Sequence, residues 1–213
     1  MDRPRLRGWI HAGSTPWVAL AGVILVIVAP TTRSRVGMIA FGLTALLLFG
    51  TSAVYHRGVW SEQTARVLRR LDHANIFLVI AGSYTAFATS LLSPEQARTL
   101  IVIMWVGAIA GVVFKLFWIN APRWVSTPLY VLLGWVAVFY LEPLYQAGGP
   151  IVLGLIALGG LLYTAGAVVF AMRRPNPWPG WFGFHEVFHA CTVLAFTAHV
   201  AAAWLAMRAI PGG

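Results

Sequence analysis

Long apolar runs, broken by short polar links, occupy almost the whole chain. A helix needs about 20 mostly apolar residues to cross a bilayer core. Seven runs meet that need, at roughly 15–30, 36–56, 72–92, 99–119, 126–143, 150–171 and 185–207. The links between them are brief, as in "TTRSR", "SPEQART" and "NAPRW", or Pro-rich, as in "RRPNPWPGWFG". None is long enough to hold a soluble domain. The pattern predicts an all-α membrane protein, a seven-transmembrane helix bundle forming a single domain over 1–213. The Gly-x-x-x-Gly of "GAIAG" and the small residues of "LGGLLYTAGA" predict close helix packing within lipid.

Composition agrees with this pattern. The chain is 59% hydrophobic and 10% charged, against about 25% charged in ordinary soluble proteins. So few charges could not cover a water-facing surface. Ten Trp suit the lipid–water boundaries. The net charge of +9 comes from residues placed between apolar runs rather than along one polar face, which argues against a nucleic-acid surface and for orientation in a membrane.

With the N-terminus inside, the inner segments carry Arg3, Arg5, Arg7, Arg57, Arg66, Arg69, Arg70, Lys115, Arg123, Arg173 and Arg174. The outer segments carry only Arg33, Arg35, Arg98 and Arg208. The bias predicts a cytoplasmic N-terminus and an outside C-terminus, in a cytoplasmic (inner) or plasma membrane. The basic start followed by an apolar run resembles a signal peptide, but no small-residue cleavage site follows, so it reads as a retained first span. The single cysteine, Cys191, lies in an apolar run and reads as a small buried hydrophobe.

Ionisable groups within such spans are costly and mark candidate sites. His56 ends the second run, Asp72 and His73 open the third, and "HEVFH" at 185–189 opens the seventh. Under the expected topology, His56, Asp72 and His185 all lie at the cytoplasmic face. His185 and His189 are separated by about 40° around a helix and about 6 Å along it. Both can therefore reach one tetrahedral metal, with His56 as the third ligand and water in a fourth position. Asp72 would hydrogen-bond that water or act as general base.

Taken alone, "HEVFH" is also the zinc-protease motif. That reading lacks a later Asp-Gly element and leaves His56 without a role. His199 lies about 21 Å further along the seventh helix than His185, too far to share the metal, and reads as a hydrogen-bonded interior histidine. Ser52, one turn before His56, reads as a supporting or packing residue. His11 and His73 read as solvated or capping residues near the interface, and Glu142 as a solvated residue of an outer link.

"SAVYHR", "RRLDHANIFLVIAGSYTAF" and "HEVFHACTVLAFTAH", in that order, resemble the hemolysin III family. This is the bacterial branch of the superfamily that includes the adiponectin and progestin receptors. The resemblance covers nearly the whole chain. It implies zinc near the cytoplasmic side held by His56, His185 and His189, with Asp72 against its water and Ser52 close by. Relatives in the wider superfamily resemble zinc amide hydrolases of ceramide-type lipids. Glu186 departs from the Gln usual in the animal receptors. It reads as a helix-start residue suited to the macrodipole rather than one facing the metal.

The leading expectation is a zinc-dependent hydrolase of a lipid-like amide or ester. The alternatives are a non-enzymatic receptor, membrane-homeostasis or haemolytic protein with structural zinc, and an intramembrane metalloprotease.

Overall fold

Each polar link carries the residues that start the next helix. A computed structural model describes residues 4–210; Arg3, counted among the inner charges, lies outside them. The helices are α1 (Trp9–Val28), α2 (Thr32–Arg57), α3 (Glu62–Leu91), α4 (Pro94–Phe117), α5 (Arg123–Gly134), α6 (Leu141–Met172) and α7 (Phe184–Arg208). Thr31 and Ser34 form a capping box at α2, as do Ser93 and Gln96 at α4, where Pro94 takes a first-turn position that needs no N–H. The Ser61 side chain accepts the Thr64 N–H and starts α3 ten residues before the expected span. No strand forms among the described residues. An isolated bridge pairs Trp178 with Phe182 in the Pro-rich link.

Among the described residues, six helical stretches, not the expected seven, are long and apolar enough to cross a membrane. The expected spans 126–143 and 150–171 fall within one stretch, Arg123–Met172, of 50 residues. That stretch is not uniform. Trp135–Tyr140 is a 3₁₀ helix, and Gly149 breaks the helical geometry with φ 71° and ψ −180°, just before Pro150. The positive φ suits glycine, which has no Cβ to clash. Contacts across the stretch are antiparallel: Arg123 Nη1 donates to the Phe170 carbonyl at 2.9 Å, and Trp135 Nε1 donates to Thr164 Oγ1 at 3.1 Å. The stretch therefore doubles back near Gly149.

Helix α3 is the most enclosed of the six stretches and packs on α2 and α4, with α5, α6 and α7 also against it. Helix α1 packs between α2 and α7. Apolar side chains such as Leu20, Val23, Ile27, Leu43, Val106 and Ile109 remain exposed on the outer faces, as a lipid-facing surface requires. Where α1 meets α2, Gly22 and Gly42 face each other so closely that a Cβ on Gly42 would lie 3.2 Å from the Gly22 Cα. Small residues allow that approach, and dispersion contacts then hold the helices without any help from water. Gly111 of "GAIAG" likewise lies against the Phe77 ring.

Several polar groups inside the bundle are satisfied by backbone partners. Thr85 and Thr89 return hydrogen bonds to the carbonyls of Ala81 and Thr85. The Tyr84 hydroxyl donates to the Gly134 carbonyl at 2.6 Å and accepts the Ala137 N–H at 2.7 Å. It thereby serves backbone groups at the point where α5 passes into the 3₁₀ segment.

Candidate metal centre

Two helices bring three imidazoles to one point. His56 lies in the last turn of α2, while His185 and His189 occupy the first two turns of α7. Each offers one ring nitrogen, and the three nitrogens lie within 4.8 Å of one another. His56 Nε2 and His185 Nε2 are 3.2 Å apart. Asp72 Oδ2, from α3, is 3.7 Å from His56 Nε2 and 3.8 Å from His73 Nδ1. Ser52, buried one turn before His56, is the hydroxyl neighbour of the Asp72 carboxylate.

The donor set fits a metal ion. Two nitrogens bound tetrahedrally at 2.0–2.1 Å would stand about 3.3 Å apart, close to the His56–His185 spacing. Buried His189 Nδ1 has no hydrogen-bond partner, an unusual condition for an interior polar atom. The ions most often held by such an imidazole set are zinc and its transition-metal neighbours.

Other sequence-picked residues lie elsewhere. Glu186 is 1% exposed and outside the cluster. It accepts the Gly183 N–H at 2.9 Å and pairs with Arg7 Nε, so its carboxylate is taken up by the start of α7. His199 Nε2 meets the Ile156 carbonyl of α6 at 3.3 Å. His73 Nδ1 meets the Arg69 carbonyl at 2.8 Å, and exposed Glu142 accepts from Gln146 Nε2 at 2.7 Å. Cys191 is partly buried beside Gly166.

Two residues differ from their expected places. His11, expected to be solvated or capping, is 2% exposed, and its ring stacks on that of His189 with centroids 3.7 Å apart and 8° between planes. Neither of its nitrogens has a hydrogen-bond partner. The reason is that α1 begins at Trp9, well before the expected start at 15, and packs against α7 at the depth of the cluster. Applying the depth argument to the first helix would have found it. Lys115, counted with the inner loop charges, lies in the last turn of α4 and points inward, with 2% exposure.

A cavity of about 440 Å³ opens beside the cluster. Ser52, Asp72, His185 and His189 line it, and so do apolar side chains of α3, α5 and α6, including Ile76, Leu144 and Leu153. Pockets of roughly 300–1,000 Å³ with mostly apolar walls and a few convergent polar groups are typical ligand sites.

The fold and site define a polytopic helical membrane protein with a histidine cluster at one end of an internal cavity. The family model described as "Haemolysin-III related" matches residues 1–200. Over 155 residues the chain is 33% identical to "Hemolysin-3 homolog" of Bacillus subtilis (strain 168), an alignment covering 71% of this chain and 72% of that protein. "Hemolysin-3" of Bacillus cereus is 32% identical over 155 residues, covering 71% and 70% of the two chains. "Adiponectin receptor protein" of Drosophila melanogaster is 26% identical over 185 residues, covering 79% of this chain and 42% of that protein. The chain belongs to the haemolysin-III related family and is an integral membrane protein.

Proposed function

We propose that the protein is a zinc-dependent hydrolase of an amphiphilic amide or ester, with His56, His185 and His189 as zinc ligands and Asp72 as the catalytic acid/base. The observation that carries this reading is the meeting of the three imidazoles and Asp72 with a largely apolar cavity inside the bundle. When bound, zinc supplies a Lewis acid that polarises a carbonyl and makes water more acidic. Asp72 takes a proton from the attacking water and passes it to the leaving amine or alcohol, as the acyl bond breaks and a carboxylic acid forms. Ser52 orients the Asp72 carboxylate. The apolar walls seat an acyl chain and keep bulk water from the reacting bond.

The same reading places the chain as one domain with seven crossings, N-terminus cytoplasmic and C-terminus outside, in an inner or plasma membrane. The fold-back at Gly149 supports counting Arg123–Met172 twice, because 50 residues far exceed the roughly 20 of one crossing. The inner bias of Lys and Arg supports the direction.

The test is hydrolysis of a panel of N-acyl and ester lipids by purified, zinc-loaded protein, with His56→Ala and Asp72→Asn alongside. Turnover by the wild type, reduced about 10²–10⁴-fold in Asp72→Asn with zinc retained, is the expected result. Wild-type turnover no higher than that of His56→Ala across the panel sinks the hydrolase and leaves the zinc structural, in a receptor or membrane-homeostasis protein.

A further inference from the structure

Three cations gather at the polar end of the cavity without a carboxylate of their own. Lys115 is 2% exposed, and its Nζ donates to Ser126 Oγ at 2.6 Å. Arg123, half-buried at the start of α5, stacks over the Phe170 ring at 4.4 Å. Arg69, one turn before Asp72, is exposed at the mouth and reaches Asn120 Oδ1 at 3.4 Å. Arg69 is close enough to repel both Lys115 and Arg123. Among the described residues, no ion pair involves any of the three, and Asp72, turned toward His56 and His73, is the only carboxylate lining the cavity.

A hydroxyl partner does not neutralise a buried ammonium, and neighbouring guanidiniums add repulsion. The arrangement gains its balance when an anion enters. Lysine serves as a point charge and arginine as a planar fork, the combination that suits phosphate. Three cations match the charge of about −1.5 to −2 on a phosphate monoester better than the single charge of a carboxylate.

The rest of the cavity constrains the other half of the ligand. Its lining runs along α3 from Asp72 to Ala88, about 24 Å at the helical rise of 1.5 Å per residue. The walls there are formed by side chains such as Ile76, Ile80, Leu153 and Ile156. We propose that the cavity binds an anionic lipid whose head-group phosphate sits among Lys115, Arg123 and Arg69, with its acyl chain running along α3. This rests on reading the cavity as a lipid site and names the substrate class for the proposed hydrolase.

The experiment measures binding of dihexanoyl phosphatidic acid, dihexanoylglycerol and inorganic phosphate to the full, zinc-loaded chain in uncharged detergent, by calorimetry. The wild type should bind the phosphatidic acid at least about tenfold more tightly than either control, as expected for charge-assisted hydrogen bonds. Lys115→Gln should lose that preference while keeping its zinc content and its affinity for dihexanoylglycerol, and Lys115→Arg should restore it. Arg123→Gln, at a less buried position, should weaken phosphatidic acid binding in the same direction and serves if Lys115→Gln does not fold. Equal affinity for the charged and neutral lipids, phosphate binding as tight as the lipid, or unchanged binding in both neutral variants overturns the proposal. Selective binding without turnover of any lipid sinks the hydrolase alone. Turnover of neutral amides without anion selectivity sinks the phosphate site alone.

Discussion

The ring of His11 lies flat on the ring of His189, 3.7 Å between centroids, so the first helix forms one wall of the histidine cluster. Stacking of this kind restrains the His189 ring without occupying its nitrogens. His11→Ala should weaken zinc binding by about tenfold, the lower end of what supporting residues around a metal contribute. His11→Phe, which keeps a flat partner, should stay within about threefold of the wild type. Competition against a fluorescent zinc chelator measures both.

Zinc content should separate ligands from neighbours. His56→Ala, His185→Ala and His189→Ala should each lose most of the bound metal, whereas Asp72→Asn and Glu186→Gln should keep it. Metal analysis of purified protein reads this directly. An intramembrane protease with a carboxylate ligand would show the reverse pattern for His56 and Asp72. Because a ligand that binds only the folded state stabilises it, chelation should also lower the melting temperature of the wild type, with little effect on His189→Ala.

Arg7 and Glu186 tie the N-terminal segment to the start of α7. Nearby, the Arg5 N–H donates to the Gly180 carbonyl at 2.9 Å, which fastens the same two segments. Removing one partner of a buried pair leaves an uncompensated charge, so Arg7→Ala should cost about 3 kcal/mol. The double change Arg7→Ala with Glu186→Gln should recover a good part of that loss, because the amide oxygen still caps Gly183 without carrying charge. Thermal unfolding of the single and double variants in detergent gives the comparison.

Tyr84→Phe removes the hydroxyl that serves the Gly134 carbonyl and the Ala137 N–H. Two backbone groups then lose their partner in a region with little water, at a cost of about 1–3 kcal/mol. The change should lower the melting temperature while leaving zinc content unaltered.

Gly42→Val places a branched side chain against the Gly22 backbone. The α1–α2 contact would have to open, at about 1–3 kcal/mol. Because α1 carries His11, this variant should also show weakened zinc affinity, whereas Gly50→Ala, with open space around its Cβ position, should match the wild type in both measurements.

The helical membrane character was legible because it is written locally. A run such as 99–119 must be helical in lipid to satisfy its own backbone, although Ser93 and Pro94 start that helix before the expected 99. His185 and His189 share a face through helix geometry alone, and the depth argument brought His56 and Asp72 beside them. The six-stretch count departed from the letters at Gly149, where a local φ of 71° breaks a stretch that is helical on both sides. Span boundaries were the weakest part. Placing the first start at 15 instead of Trp9 was enough to put His11 outside the site.

The lipid-embedded helical character, the placing of polar residues near one end and the spacing of the histidine pair all follow from local pattern, because hydropathy and helical periodicity act within a single segment. The stacking of His11 on His189, the pairing of Glu186 with Arg7 and the Gly183 N–H, and the inward turn of Lys115 beside Ser126 arise from contacts made in the tertiary structure. Those outcomes depend on which helices touch and how each is rotated about its axis. That choice is made by small residues and close packing between segments distant in the chain, and no single segment records it.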